Sequence, residues 1–239
     1  MKRTVFLSDA HLHAPEDANY RLLLDFLATL PGTVETLWIL GDLFDFRVGL
    51  PALRFPEQEP LLDALRHLVH SGIRLIYLEG NHDFHLHPDL SEGLGAEVYA
   101  GPVVLELQGK RVYLCHGDLI NRADWRYRLL HTVLRHPLTL GMGRLLPVSL
   151  VTRMRTRLQR TSKKRYRHNR SRWDYPAMIR GFGATVRAQG YDALVLGHFH
   201  RPFMDHQGDF ILVSLGDWIS QFSYAELCDG DFRLLTYPA

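Results

Sequence analysis

The sequence predicts a single α/β domain, a mixed sandwich that carries a helical insertion. Two features of the 239 residues support this class: short apolar runs alternate with helical patterns in the first half, and turn-linked apolar runs fill the rest outside residues 119–187. An alternating order of strands and helices is typical of parallel strands joined by right-handed crossovers. With 46% apolar residues, a chain of this length can bury one full core.

The first half contains three predicted strands separated by two predicted helices. The strands are short apolar runs at 4–8, 36–40 and 74–78. Leucines at helical spacing follow Asp17, which we predict as a helix N-cap, and a second leucine-rich helix is predicted at 60–70. This β-α-β-α-β order predicts that the three strands pair in parallel.

The second half has a different pattern. Two apolar runs, 103–107 and 112–115, lie on either side of a Gln-Gly-Lys turn and predict a hairpin. Four further strands are predicted at 193–196, 210–214, 224–228 and 232–236. The predicted insertion, about 119–187, lies between the hairpin and these strands.

The predicted insertion is strongly basic. Residues 119–187 hold 17 Lys and Arg against two Asp, a net charge of +15, whereas the rest of the chain has a net charge of −13. The segment is suited to contact anions, and a solvated pair of basic helices is the alternative. Its apolar residues between 125 and 151 either pack as an ordinary helix pair or line an apolar chamber. The Arg-rich run at 153–172 fits a pyrophosphate group, anionic lipid headgroups or a nucleic-acid backbone.

The N-terminus and the cysteines indicate the cellular compartment that we expect for the protein. The apolar run behind the basic N-terminus ends at Asp9, which is short for an export signal, and no apolar run reaches the roughly 18 residues that span a bilayer. Cys115 and Cys228 lie far apart in apolar runs, so no disulfide framework is predicted. We expect a cytoplasmic protein that is soluble or at most lies on a membrane surface.

Polar motifs follow five of the predicted strands. They are Asp9-Ala10-His11, Gly41-Asp42-Leu43-Phe44-Asp45, Gly80-Asn81-His82-Asp83, His116-Gly117-Asp118 and Gly197-His198-Phe199-His200. In α/β sheets, ligands bind in the crevice beyond the carboxyl ends of the strands. We therefore expect the carboxylate, imidazole and amide groups of these motifs to converge. One such motif could be structural, but five in this position favour a functional site.

These ligand groups predict hydrolysis at phosphorus with the help of two metal ions. Two divalent metals about 3.5–4 Å apart supply a strong nucleophile at neutral pH and offset the charge of a phosphodiester or pyrophosphate. We expect Asp42 to bridge the two ions. Mixed oxygen and nitrogen ligands without thiolate favour Mn²⁺, with Fe or Zn as alternatives.

The order and spacing of the five motifs resemble those of the calcineurin-like metallophosphoesterase superfamily, from Asp9 to about Asp217. The resemblance implies a four-layered αββα sandwich with a helical lid, and water attack on phosphorus in line. The implied ligands of the first metal site are Asp9, His11, Asp42 and His200, and those of the second metal site are Asp42, Asn81, His116 and His198. It also implies that His82 contacts the phosphoryl oxygens, with Asp83 orienting it.

Within that superfamily, the chain is most similar to the UDP-2,3-diacylglucosamine pyrophosphatases of lipid A synthesis. The similarity rests on length, on the run from Trp38 to Asp45, on the aromatic helix after His116 and on the stretch 161–163. It implies release of UMP and 2,3-diacylglucosamine 1-phosphate from a lipid-linked nucleotide sugar at the inner-membrane surface. The residues expected to bind substrate are Asn81, His82, Asp124, Arg157, Arg160, Ser162 and Lys163.

The sequence departs from this closer family at two positions. His82 stands where that family typically has Arg, and Asp45 replaces a common Glu. A phosphodiesterase or nuclease acting on nucleotides or single-stranded nucleic acid is therefore the alternative function. A non-catalytic scaffold is a minor alternative, because all seven implied metal ligands are present. We expect a monomer.

Overall fold

The computed structural model describes residues 3–50, 55–143 and 173–238. The strands in these ranges are β1 (Arg3–Leu7), β2 (Thr36–Ile39), β3 (Arg47–Val48), β4 (Arg74–Leu78), β5 (Asp83–Phe84), β6 (Glu97–Tyr99), β7 (Val103–Leu107), β8 (Lys110–Cys115), β9 (Ala193–Leu196), β10 (Phe203–Gln207), β11 (Phe210–Ser214), β12 (Ser223–Cys228) and β13 (Asp231–Thr236). The α-helices are α1 (Ala18–Ala28), α2 (Glu59–His70), α3 (Trp125–Arg135), α4 (Pro137–Gly143) and α5 (Tyr175–Ala188).

Two large sheets form the centre of the fold. The first has the strand order β13-β12-β1-β2-β4-β6 and the second has the order β10-β11-β9-β8-β7. As predicted, β1, β2 and β4 pair in parallel, and β7 and β8 form an antiparallel hairpin. In the second sheet, β9 pairs in parallel with both β8 and β11. The carboxyl ends of these parallel strands are where the five polar motifs begin.

The side chains that alternate along each strand show that both faces of each large sheet are covered, which gives four layers. In β1, Val5 and Leu7 face the cluster under α1 and α2, whereas Phe6 packs between the two sheets. In β9, Val195 packs between the sheets and Leu194 faces α5. Side chains that alternate between two buried faces are expected of strands covered on both sides. The αββα sandwich is therefore confirmed.

Two helices differ in detail from the sequence prediction. Asp17 occupies the N-cap position of α1, but its carboxylate accepts from the backbone N–H of Ala14 and makes no bond to the helix. Helix α5 lies inside the span predicted as insertion, yet it packs on the second sheet through Ile179 and Val186. A crossover helix here covers the parallel pair β8 and β9, as such pairs require.

The structure adds short elements that the sequence pattern did not predict. The two-residue strands β3 and β5 pair in parallel beside the motif loops, β6 extends the first sheet, and β10 forms the edge of the second. Cys115 is buried, whereas Cys228 is partly exposed. Within the described ranges, no helix combines the length and the hydrophobicity needed to cross a bilayer.

Candidate metal centre

Backbone hydrogen bonds join the motif loops where the strands end. The N–H of Asp9 donates to the carbonyl of Gly41 at 3.1 Å, and the N–H of His11 donates to the carbonyl of Asp42 at 3.0 Å. The N–H of Trp218, in the loop after β11, donates to the carbonyl of Asp9 at 3.1 Å. These bonds fix the loops after β1, β2 and β11 relative to one another, so the side chains they carry point into one space.

Five of the seven predicted metal ligands have a left-handed backbone. They are Asp9, His11, Asp42, His198 and His200, with φ between 44° and 70°. This conformation costs a non-glycine residue about 1–3 kcal/mol, and it persists only where the surrounding structure imposes it. The strain is concentrated at the residues that carry the ligand atoms, which is typical of a functional site.

Close contacts between two loops explain the glycines of the second and third motifs. Gly41 has φ +84°, and a Cβ there would lie 2.7 Å from Nδ1 of His116. A Cβ on Gly80 would lie 2.2 Å from Oδ1 of Asp42 and 2.5 Å from its backbone nitrogen. Only glycine allows these loops to approach so closely.

The first cluster contains Asp9, His11 and His200. One ligand atom from each lies within 4.8 Å of the others. The Nε2 atoms of His200 and His11 lie 3.6 Å and 3.8 Å from Oδ1 of Asp9. The other oxygen of Asp9 accepts from Ser8 Oγ and from the N–H of His198. Oδ1 of Asp9 is buried and receives no hydrogen bond from any described residue, which leaves it available to a cation.

The second cluster contains Asp42, His116 and His198, again within 4.8 Å of one another. Nδ1 of His116 donates to the carbonyl of Leu40 at 2.8 Å, so Nε2 is the atom turned to the site. This Nε2 lies 3.1 Å from Oδ1 of Asn81 and 3.5 Å from Oδ2 of Asp42. A carbonyl partner of this kind fixes the orientation of a metal-bound imidazole.

Asp42 belongs to the second cluster and also reaches the first. Its Oδ2 is 3.6 Å from Nε2 of His11, in the first cluster, and 3.5 Å from Nε2 of His116, in the second. Its Oδ1 accepts from the backbone N–H of His82 at 2.8 Å. The predicted bridging carboxylate is therefore placed where it reaches both groups of ligands.

Burial and mutual charge set the protonation of these groups. Burial lowers the pKa of His198 to about 3, with His116 adding to the effect, and it lowers the pKa of His11 well below its usual range. Burial disfavours the ionised form of Asp42, but His116 and His82 hold its pKa well below the usual value. For His11, His198 and Asp42 these are the forms that bind metals. Burial disfavours the charged form of His116, but Asp42 holds its pKa well above the usual value, so His116 must release a proton when an ion binds.

The ligand set fits two divalent cations. Several carboxylates share one buried space, and buried like charges require a compensating cation. The two clusters supply mixed oxygen and nitrogen donors with no thiolate among them, which suits divalent ions such as Mn²⁺. Oδ1 of Asp9 gives the most direct evidence for such an ion, because it is buried and accepts no hydrogen bond from any described residue.

The structure corrects the role expected of Asp83. Its fully buried carboxylate accepts from the backbone N–H groups of Asp42, at 3.0 Å, and Gly80, at 2.9 Å, and from the hydroxyl of Tyr77. Nδ1 of His82 instead lies 2.8 Å from the carbonyl of Asp45. Asp83 therefore ties the second and third motif loops together, because unpaired N–H groups attract the carboxylate. A backbone carbonyl orients the ring of His82.

A carboxylate that the sequence did not single out orients His200. Oδ1 of Asp217 accepts from the backbone N–H groups of Ile219, at 2.9 Å, and Ser220, at 2.8 Å. Its Oδ2 lies 3.3 Å from Nδ1 of His200, whose Nε2 faces Asp9. This is the carboxylate–histidine arrangement found behind many metal ligands. Nothing in the sequence marks it, because 16 residues separate the two side chains.

Replacing Asp217 should weaken metal binding. We expect Asp217→Asn to lower Mn²⁺ affinity at the first metal site roughly 10-fold, because His200 loses its charged partner. Equilibrium dialysis of the metal-free protein against Mn²⁺ measures this. The control is Asp205→Asn. Asp205 lies on the second sheet, in β10, and its carboxylate pairs with Arg180 of helix α5. Equal Mn²⁺ affinities in Asp217→Asn and the wild type would argue against the role of Asp217.

The residues expected to bind substrate fall into two groups. Asn81 and His82 lie beside the two clusters. The carboxylate of Asp124 accepts from the N–H of Tyr127 at 3.1 Å and so caps helix α3. Arg157, Arg160, Ser162 and Lys163 lie outside the described residues, as does the whole Arg-rich run at 153–172.

A model of one protein family matches most of the chain. Residues 2–202 match the model described as calcineurin-like phosphoesterase. The chain belongs to the calcineurin-like phosphoesterase family. It is therefore a metallophosphoesterase, a hydrolase that works with divalent metal ions, as the motifs predicted.

Curated relatives match nearly the full length. A protein of Neisseria meningitidis serogroup B is 30% identical over 237 residues, which cover 97% of this chain and 96% of the relative. A protein of Pseudomonas syringae pv. tomato is 33% identical over 229 residues, covering 91% and 88%. One from Stutzerimonas stutzeri is 34% identical over 226 residues, covering 91% of each. All three are named UDP-2,3-diacylglucosamine hydrolase.

Solved structures share the fold. An archaeal phosphodiesterase matches with a TM-score of 0.51 at 14% identity, over 98% of this chain and 99% of the other. The phosphoesterase Yfce from E. coli matches with a TM-score of 0.51 at 18% identity, over 98% and 92%. These likenesses agree with the αββα sandwich.

Proposed function

We propose that this chain hydrolyses the pyrophosphate bond of UDP-2,3-diacylglucosamine, releasing UMP and 2,3-diacylglucosamine 1-phosphate. The observation that carries the proposal is the set of relatives with this name, 30–34% identical over at least 91% of the chain. The two ligand clusters that meet at Asp42 support it, because a pyrophosphate hydrolase of this family needs such a centre.

The proposed metal ligands follow the two clusters. Asp9, His11, Asp42 and His200 would hold the first ion, and Asp42, Asn81, His116 and His198 the second. We propose Mn²⁺ as the resident ion, with Fe or Zn as alternatives. Two such ions would lower the pKa of bound water and offset the charge of the pyrophosphate.

His82 is the proposed contact to the phosphoryl oxygens. A backbone carbonyl only accepts, so Nδ1 of His82 donates its proton to the carbonyl of Asp45. A ring nitrogen of His82 lies within 4.8 Å of ligand atoms of His11 and Asp42, and the centroid of the partly exposed ring is 4.7 Å from that of His11. His82 would serve where the family that the motifs most resemble typically has Arg.

The insertion is the proposed binding region for the rest of the substrate. We propose that Asp124, Arg157, Arg160, Ser162 and Lys163 contact it, and that 119–187 acts as a lid of one catalytic domain. The segment's net charge of +15 suits a pyrophosphate and an anionic membrane surface alike. A monomer bound peripherally to the cytoplasmic face of the inner membrane would have direct access to a lipid-linked substrate.

The substrate is tested by direct comparison. Mn²⁺-loaded protein is assayed on UDP-2,3-diacylglucosamine, bis-p-nitrophenyl phosphate and a single-stranded oligonucleotide, with UMP release followed by chromatography. We expect rapid UMP release and poor use of the other two compounds. Absence of UMP release, with rapid cleavage of the diester or the oligonucleotide, would reject the lipid substrate.

A nuclease or phosphodiesterase activity is the second candidate. His82 favours it, because Gly-Asn-His-Asp is the general form of this motif in the superfamily. The basic run at 153–172 favours it as well, since its arginines lie among or next to Tyr166, Trp173 and Tyr175, and basic residues interleaved with aromatic ones suit single-stranded nucleic acid. This alternative predicts binding of the oligonucleotide that weakens steeply as salt is raised.

Charge reversal in the insertion should separate the two candidates. We expect the double change Arg157→Glu and Arg160→Glu to raise KM for the lipid substrate roughly 30-fold or more, because each of the two lost charge-assisted bonds is worth about 1 kcal/mol or more. KM for bis-p-nitrophenyl phosphate should change less than 2-fold. Equal increases for both substrates would argue against contact between these arginines and the lipid substrate.

A further inference from the structure

Helix α3 docks on the metal centre through polar side chains. No residue of α3 is buried. Large apolar side chains that recur every four residues are at least half exposed: Trp125, Leu129 and Val133. The opposite stripe carries Tyr127, His131 and Arg135, which face the motif loops. Contacts between this stripe and the loops hold the helix in place, together with Leu134, which packs against the apolar cluster that contains Phe84.

Two of these contacts meet the loop that follows β8. The hydroxyl of Tyr127 donates to Oδ2 of Asp118 at 2.5 Å, and Nε2 of His131 lies 3.6 Å from the same oxygen. Asp118 is two residues beyond His116. Near the other end of the helix, Nε2 of His85 lies 3.1 Å from the carbonyl of Leu134.

The third contact is the most extensive. Nη2 of Arg135 donates to the carbonyl of Gly80 at 2.7 Å. Its Nη1 donates to Oε2 of Glu79 at 2.7 Å and to the carbonyl of Ala100 at 3.0 Å. The side chains of Arg135 and Glu79 are only 15% and 3% exposed. The second oxygen of Glu79 accepts from the N–H of Leu86, so the carboxylate itself is fixed.

The Gly80 residue is thereby held on both sides. Its N–H donates to Oδ1 of Asp83 at 2.9 Å, and its carbonyl accepts from Arg135 at 2.7 Å. With both bonds in place, the peptide that joins Gly80 to Asn81 has one orientation. That orientation directs Oδ1 of Asn81 to within 3.1 Å of Nε2 of His116, in the second cluster.

We propose that Arg135 is a positioning residue for Asn81, and that it couples docking of helix α3 to ion binding at the second metal site. The inference rests on the metal-ligand assignment given under the proposed function. The coupling is reciprocal, because two equilibria that share one arrangement of the loop stabilise each other. Ion binding should therefore hold α3 more tightly, and loss of the Arg135 contact should weaken the second ion.

Mn²⁺ titration of the metal-free protein measures the first consequence. Electron paramagnetic resonance measures the Mn²⁺ that stays free, and the difference from the total gives the bound ions. We expect two bound ions per wild-type chain. In Arg135→Met, we expect the affinity for the second ion to fall roughly 10-fold and the affinity for the first ion to stay unchanged. A loss of this size is typical when a residue that orients a metal ligand is removed. Arg74→Met removes an exposed arginine–carboxylate pair with Glu97, and it should bind both ions as the wild type does.

Two further variants separate positioning from the cost of an unpaired buried charge. Glu79→Gln can keep the Arg135 bond to Gly80, so its affinity for the second ion should stay within 3-fold of the wild type. The double variant of Glu79→Gln and Arg135→Met leaves no buried unpaired carboxylate. It should nevertheless lose affinity for the second ion about as much as Arg135→Met does.

Hydrogen exchange of the α3 amides measures the second consequence. We expect Mn²⁺ to slow this exchange in the wild type and in Glu79→Gln, but not in Arg135→Met. If the wild type and both Arg135 variants bind two ions with equal affinity, this inference is overturned and the two-metal proposal stands. A wild-type chain that binds fewer than two ions would overturn the two-metal proposal and this inference with it.

Discussion

Asp42→Ala should abolish turnover while the protein stays folded. Among the residues that the structure describes, Asp42 is the one carboxylate whose oxygen lies within 3.6 Å of imidazoles from both clusters, so its loss removes a ligand from each proposed ion. We expect kcat/KM to fall roughly 10³-fold or more, which corresponds to about 4 kcal/mol of transition-state stabilisation. Bound Mn²⁺ should fall below two per chain.

The fold should survive this change because the backbone of Asp42 makes its bonds without the carboxylate. Its N–H donates to Asp83 and its carbonyl accepts from His11. Thermal unfolding followed by circular dichroism should stay cooperative. Asp63→Ala, which removes an exposed carboxylate on α2, is the matched control and should keep full activity. An active Asp42→Ala enzyme would contradict the two-metal assignment.

Gly80→Ala should be the most damaging single-methyl change in the centre. The new Cβ would lie 2.2 Å from Oδ1 of Asp42 and 2.5 Å from its backbone nitrogen, so one of the two loops must move. Displacing a catalytic group by about 1 Å can cost roughly 100-fold in rate. We expect kcat/KM to fall at least that far, with a loss of about 1–3 kcal/mol in the free energy of unfolding.

The control for this change is Gly101→Ala. A Cβ on Gly101 meets nothing within 4 Å, and the residue is exposed on the surface. Its activity should equal that of the wild type and its stability should lie within about 0.5 kcal/mol. Urea unfolding and steady-state kinetics on the same preparations give both quantities. A fully active Gly80→Ala enzyme would show that the two loops do not need their close approach.

The strands that carry the motifs could be predicted from the sequence almost to the residue. Residues 74–78 and 193–196 are strands as predicted, because short apolar runs that end at a polar motif are a strong pattern. Strands β3 and β5 could not be predicted, since two residues give no period and both contain a buried charge. Strand β10, with the sequence Phe-Met-Asp-His-Gln, is too polar to be identified without its partner β11.

The residues of the two clusters could also be predicted, because each lies next to a strand end. The partners behind them could not. Asp83 was expected to orient its neighbour His82, but the nearest unpaired donors in space are N–H groups of another loop. Asp217 and Arg135 act on His200 and Gly80 across long sequence separations. Such pairings depend on the fold, and a single sequence contains no pattern for them.

The most direct test of the central claim is a joint measurement of metal content and turnover. Metal-free protein is loaded with increasing Mn²⁺, and bound ions per chain are measured beside the rate of UMP release from UDP-2,3-diacylglucosamine. The two clusters, which Asp42 connects through His11 and His116, predict that activity rises with the second bound ion and is complete at two per chain. Full activity with one bound ion, or with none, would contradict the two-metal account.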